Sequence, residues 1–133
     1  MNDIPPMVSL TDLAELNPTL PDLPEKDAVV SFVPISAVDA ETASVTGAED
    51  RRFEEVSKGY TPFLDGDVLI AKITPCFENG KIAHARMPRR IGFGSTEFHV
   101  IRPLPGKADV RYLLHFLRQI LYSRLILYSR PAY

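Results

Sequence analysis

A single cysteine among 133 residues excludes an internal disulfide, and a lone thiol fits a reducing cytoplasm. Apolar runs are short, none approaching the roughly 20 residues that a membrane helix needs, so no membrane partner is expected. The opening MNDIPPMVSL carries acidic Asp3 where an export signal would be basic, and no apolar core comes after it; no export signal is expected. Cys76, His84, His99 and His115 lack metal-ligand spacing. A Gly-rich phosphate loop is also missing, since Gly92-x-Gly94 is too short and runs into a strand-like segment. No Asp-Pro-Pro-Tyr-type methyltransferase motif occurs. Cys76 with His84 or His99 and Glu78 or Glu97 contains the residue types of a thiol hydrolase. However, Cys76 lies between Pro75 and Phe77 at a strand end, where a buried, inert thiol is the ordinary state, and no Cys-protease signature surrounds it. The chain is therefore expected to be non-catalytic, with no cofactor or metal.

What is present is an ordinary globular composition, 45% apolar and 24% charged, in a length that suits one domain. Twelve prolines favour many short elements over long helices. The net charge of -2 hides an asymmetry: residues 1–70 hold 14 Asp/Glu and 4 Lys/Arg, residues 71–133 hold 3 and 11. A basic half is compatible with a polyanion partner, and equally with two charge sets that neutralise each other in the fold.

Leu10, Leu13, Ala14 and Leu16, with Ser9 or Thr11 as a cap and Asn17-Pro18 as a stop, predict a short helix over 10–16. Residues 18–27 are a Pro- and acid-rich connection. AVVSFVPI (28–35) reads as a strand that Pro34 ends or confines to an edge. Residues 36–52 are polar and read as a loop or exposed ribbon, and 53–58 as a short strand or helical turn closed by Gly59. Asp65-Gly66-Asp67 is a turn that launches the strand VLIAKIT (68–74). Asn79-Gly80 tolerates the positive φ of a tight hairpin, so 68–77 and 81–87 should pair antiparallel. After a turn at Pro88-Arg89-Arg90, IGFGSTEFHVIR (91–102) reads as one further strand opening with a Gly-x-Gly bend. From Asp109, a plausible N-cap, Val110, Leu113, Leu114, Leu117 and Leu121 recur at helical spacing, with Arg111 and Arg118 near the polar side. The pentapeptide ILYSR occurs at 120–124 and again at 126–130, too short a repeat for a solenoid. The fold class is α+β: a twisted, mostly antiparallel sheet with a short N-terminal helix and a C-terminal amphipathic helix.

GDVLIAKITPCFENGKIA (66–83) and GFGSTEFHVIRP (92–103), preceded by VSFVPISAVD (30–39) and GYTPF (59–63), resemble the target-recognition domains of type I restriction-modification specificity subunits. The resemblance covers residues 8–118. It implies an α+β module that places loops and strand edges in the major groove of double-stranded DNA. It also implies a full subunit with two such domains joined by long helices. That subunit docks onto modification (methyltransferase) and restriction subunits, which hold the catalysis and the S-adenosylmethionine and ATP sites. Only one recognition domain is visible, with a core over 8–121 and residues 122–133 as a tail or the start of a spacer helix. A gene fragment, a truncated subunit and a self-associating half-subunit are the readings open for such a chain. A plain interaction module, with Leu114, Leu117, Leu121 and Tyr122 on the apolar side of the last helix, is the alternative.

Charge and donor geometry select the residues expected to meet DNA. Lys72, Lys81, Arg86, Arg89 and Arg90, on or beside the hairpin, suit phosphate contact, which gives affinity without sequence information. Thr74, Asn79, Ser95, Thr96 and Glu97 have donors and acceptors suited to base edges, although Asn79 is also the natural turn residue and Ser95 and Thr96 can bond local backbone instead. Tyr60, Thr61 and Phe63 are candidates for sugar or thymine-methyl contact, with burial as the commoner fate of an aromatic. The hairpin and the segment after Gly92 are expected to form one continuous basic edge.

Overall fold

Four apolar residues in a row, Val68-Leu69-Ile70-Ala71, leave no polar face for solvent, and the strand they form is the centre of the fold, buried throughout. The computed structural model describes residues 10–71, 81–107 and 109–128. Its elements are α1 (Leu10–Leu13), β1 (Ala14–Leu16), β2 (Val29–Val33), a 3-10 turn (Ile35–Ala37), β3 (Val38–Asp39), β4 (Ser44–Val45), β5 (Glu49–Arg52), α2 (Phe53–Val56), β6 (Thr61–Leu64), β7 (Val68–Ala71), β8 (Ile82–His84), β9 (Ile91–Gly94), β10 (Phe98–Pro103) and α3 (Val110–Tyr128). The strands divide into a six-stranded sheet, β1-β10-β7-β8-β4-β3, and a four-stranded sheet, β5-β2-β9-β6. Pairing is antiparallel except for β2 with β9 and β4 with β8.

Side-chain alternation along β7 sorts the core into layers. Val68 and Ile70 join Ile82, Ile101 and Ala14 under Leu113 and Leu117 of α3. Leu69, with Val100, Phe98 and Ala83, faces the other way, against Val33 and Phe63. A third cluster, Val30, Val56 and Phe93 with Phe53 and Leu20 against them, covers the outer side of the four-stranded sheet. Leu113 and Phe63 are fully buried. Each such side chain stabilises the fold by roughly 1.5–3 kcal/mol. Asp109 begins α3 as its sequence suggests, its carboxylate accepting the Arg111 N–H at 2.7 Å.

Two sequence expectations are corrected. The helix expected over 10–16 is a single turn, after which Ala14–Leu16 pairs with β10, Ala14 opposite Pro103 and Leu16 opposite Ile101. A sheet edge offered backbone partners that a two-turn helix could not match. Asn17 closes the strand in a left-handed conformation, φ 47°, and grips Val100 twice: its N–H donates to the Val100 carbonyl at 2.6 Å and its side-chain oxygen accepts the Val100 N–H at 2.8 Å. The single strand expected over 91–102 is two strands in different sheets, β9 and β10, joined by a turn at Ser95–Glu97.

The Gly-x-Gly segment is not an exposed bend but the inner face of β9. A Cβ on Gly92 would lie 2.6 Å from the Phe63 ring and 2.7 Å from the Met87 sulfur. One on Gly94 would lie 2.7 Å from the Val33 carbonyl oxygen and 2.8 Å from the Phe98 ring. Glycine is required here for close packing, because the two sheets meet through phenylalanine rings laid directly on the β9 backbone. The outer strands of the four-stranded sheet are β5, made of Glu49-Asp50-Arg51-Arg52, and β6, which contains Pro62.

Candidate nucleic-acid interface

The Asp65-Gly66-Asp67 turn organises one end of the molecule. The Asp67 carboxylate is buried and fully engaged: it accepts the Leu64 N–H at 2.9 Å and is gripped by Arg102 through Nε at 2.9 Å and Nη2 at 2.8 Å. Gly66 N–H donates to the Ala85 carbonyl and Ala85 N–H to the Asp67 carbonyl, which fixes the end of β8. Asp65 secures the loop beyond β8. Its N–H donates to the Arg90 carbonyl at 2.8 Å, and its carboxylate accepts the Met87 N–H at 2.8 Å and pairs with the Arg86 Nε at 3.3 Å. The loop from Ala85 to Arg90 is therefore pinned at both ends and the middle, and three arginines project from it.

Their partners differ. Arg86 is mostly exposed beside Asp65. Arg89 forms a two-point pair with Asp50 of β5, Nε to Oδ1 at 3.3 Å and Nη2 to Oδ2 at 3.0 Å, while its N–H reaches the Ser31 hydroxyl at 3.4 Å. Hydrogen bonding from Arg89 holds the Asp50 carboxyl below the usual carboxylate range, and Asp50 in turn raises the guanidinium. Arg90 is exposed and has no ion pair among the described residues. His84, at the root of the loop, is pushed below its ordinary value of 6.5, chiefly by burial and next by the Arg86 charge, with Asp65 and a backbone hydrogen bond at Gly66 pulling the other way.

The remaining described candidates lie at the opposite end of β9. Arg90 precedes the strand and Ser95 succeeds it, a separation of about 16 Å at the usual strand rise. Ser95, Thr96 and Glu97 form the turn into β10. Ser95 binds locally, its hydroxyl accepting the Glu97 N–H at 3.0 Å and its carbonyl the Phe98 N–H at 3.1 Å, while Thr96 is exposed. Lys81 is at this same end, because β7 places Ala71 opposite Phe98 on one side and bonds the Lys81 carbonyl on the other. Its ammonium donates to the Val38 carbonyl at 3.0 Å. Lys72, Thr74 and Asn79, with Cys76, Glu78 and the hairpin turn, lie outside the described residues; the strands on either side of that turn pair antiparallel as expected, Val68 with His84 and Ile70 with Ile82.

The expected single edge is thus two patches, an arginine loop at one end of β9 and a polar turn with Lys81 at the other. The sequence pattern merged them because β9 is short and its glycines look like a bend. Phe63 is removed from the interface altogether, being fully buried, whereas Tyr60 stays 40% exposed with its ring edge-on to Phe32. Sequence reasoning missed Asp50 and Asp65 as partners of the arginines. The Asp-Gly-Asp turn was a visible signal for Asp65; nothing in the sequence marks Asp50, which meets Arg89 across 39 positions. Among the described residues no three His, Cys, Asp or Glu side chains gather as a metal site, and no helix is long and apolar enough to cross a membrane.

Known proteins resemble this chain in sequence and in fold. No protein-family model matches the chain. It is 40% identical over 107 residues to the type I restriction enzyme EcoAI specificity subunit and 36% identical over 108 residues to the EcoEI specificity subunit, both from Escherichia coli. Each match takes in 80% of this chain and 18% of the relative. Among solved structures, the HsdS subunit from Thermoanaerobacter tengcongensis superposes with a TM-score of 0.68 at 21% identity, over 95% of this chain and 33% of that one. A chain from a type I R-M system studied for complex assembly and conformational transition gives the same score and identity over 93% of this chain and 32% of its own. Over the stretch that matches, the chain is a homologue of type I restriction enzyme specificity subunits, spanning 18% of the length of those curated relatives and sharing the fold of the HsdS subunit.

Proposed function

We propose that this chain is a single target-recognition domain that binds duplex DNA sequence-specifically, as the reading part of a type I specificity subunit. In that role it is non-catalytic and cytoplasmic, and it directs partner methyltransferase and endonuclease subunits to their target. The observation that carries the reading is the 36–40% identity to specificity subunits over 80% of the chain. The geometry supports a division of labour. The pinned arginine loop suits phosphates, which position without specifying, and the Ser95–Glu97 turn, with Lys81 at the same end, suits base edges. The spacing of about 16 Å between the patches exceeds the roughly 12 Å width of a major groove, so a duplex lying along β9 would meet one patch with its groove and the other with its backbone.

The test is salt-dependent binding of the chain to a random duplex pool. Arg89→Ala combined with Arg90→Ala is expected to weaken binding to all sequences alike and to lower the slope of log K against log salt by about 0.9 to 1.8, one phosphate for Arg90 and a share of a second for Arg89, which Asp50 also engages. Thr96→Ala is expected to change the preferred sequence and leave the slope alone. An unaltered slope in the first variant, or an unaltered preference in the second, removes that patch from the interface.

A further inference from the structure

The arginine loop is less positive than its sequence suggests. Arg86 and Arg89 face Asp65 and Asp50, and only Arg90 stands without an ion pair among the described residues. Of the two carboxylates, Asp65 has a structural task, since it also accepts the Met87 N–H and its backbone holds Arg90. Asp50 has none of that kind. Its carboxylate bonds only Arg89 among the contacts described, and it projects from an outer strand in which all four residues are charged. The backbone beneath it is already secured, Asp50 being paired with Ser31 in the β5–β2 ladder. Arg89 is held independently by its own N–H on the Ser31 hydroxyl. The two-point pair therefore adds nothing the loop needs in order to keep its shape. What it does is occupy the Nε–Nη2 edge of a guanidinium, an edge that would otherwise take a phosphate in the same bidentate manner, and offset its charge.

We infer that Asp50 is a specificity-determining residue: its carboxylate competes with DNA phosphate for Arg89 and so lowers sequence-independent affinity, leaving tight binding conditional on base contacts made elsewhere. The inference rests on the DNA-binding reading above. Its physical basis is that phosphate contact contributes equally at every site in a genome, so discrimination improves when that shared contribution is held down. A phosphate approaching Arg89 must either displace the carboxylate from the Nε–Nη2 edge or bind the Nη1 edge beside an anion already in place. The exchange becomes favourable only where other contacts fix the duplex close by. Because the pair is exposed, the restraint is modest, a few-fold in affinity rather than a block.

The experiment uses the full chain and a random duplex pool, with Asp50→Asn, Asp22→Asn, Arg89→Ala and the Asp50→Asn/Arg89→Ala double variant. Asp22→Asn makes the same change in net charge at a carboxylate outside the loop's contacts. Asp50→Asn is expected to raise affinity for all duplexes about two- to fivefold. It is also expected to steepen the salt slope by up to about 0.9, the share of one phosphate that Asp50 withholds from Arg89, and to compress the ratio between the best and the average sequence. Asp22→Asn should give a smaller gain with the slope unchanged, and the double variant should lose the gain entirely. Equal gains in Asp50→Asn and Asp22→Asn, a gain that survives without Arg89, or a fall in affinity on Asp50→Asn would each overturn the inference while leaving the loop as a DNA contact. If Arg89→Ala itself binds as well as the parent, the placement of DNA on this loop fails, and the inference with it. Equal melting temperatures across the set establish that folding is not the variable.

Discussion

Replacing Asp67 with Ala should be among the most damaging single changes in the chain. The side chain is 4% exposed and its two oxygens carry three hydrogen bonds, one from the Leu64 N–H and two from the guanidinium of Arg102, whose own side chain is 20% exposed. Truncation would strand a largely buried cation and an N–H together. Breaking one member of a buried pair costs about 3–5 kcal/mol, and partial access of water to Arg102 places the expectation at the lower end, about 3 kcal/mol. For a domain of this size, 1 kcal/mol corresponds to roughly 3–5 °C, so Tm should fall by about 10–15 °C. Asp67→Asn should lose less, about half, because the amide oxygen can still accept one bond. A urea titration at pH 7.5, monitored by far-ultraviolet circular dichroism, gives the two free energies. Arg102→Met in the Asp67→Leu background separates the pair's net contribution from the cost of leaving a partner behind: the double variant is expected to recover most of the loss. A loss under 1 kcal/mol for Asp67→Ala would refute the view that this buried pair is what holds the Asp65–Asp67 turn to β10.

Gly94→Ala should destabilise by about 1–3 kcal/mol in the same titration, because the added methyl meets the Val33 carbonyl, a backbone atom that cannot swing aside; an effect within 0.5 kcal/mol would mean the sheets have slack. The pH dependence of stability should carry a contribution from His84. Its folded value lies below the ordinary 6.5, so the unfolded chain takes up the proton first as pH falls. That contribution is complete above about 6.5 and is lost as pH drops toward the folded value. Urea midpoints at pH 8 and 5.5 should therefore differ less in His84→Gln than in the parent, and an identical difference would exclude His84.

Elements whose signal is local were legible in the sequence. Asp109 caps its helix through its own side chain, the Asp65-Gly66-Asp67 turn sits where the residue types demand it, and β7 is central because four consecutive apolar residues admit no exposed face. What failed depended on partners distant in the chain. Ala14–Leu16 has the spacing of a helix and becomes a strand because β10 offers it a ladder. Gly92 and Gly94 read as a bend when taken alone, and only Phe63 and Phe98, brought in from other strands, show why a side chain is excluded there. The same limit hid the site's organisation: a four-residue strand separates the two patches, and Asp50 becomes relevant only once β5 is laid beside β2.

The outer strands of the smaller sheet have a consequence for behaviour in concentrated solution. A foreign strand approaching the Glu49–Arg52 side would have to strip water from four ionic side chains. One approaching the opposite side would meet Pro62, which has no N–H to offer. Neither rim can therefore template further β-addition, and assembly of copies of this sheet edge to edge is disfavoured from both directions.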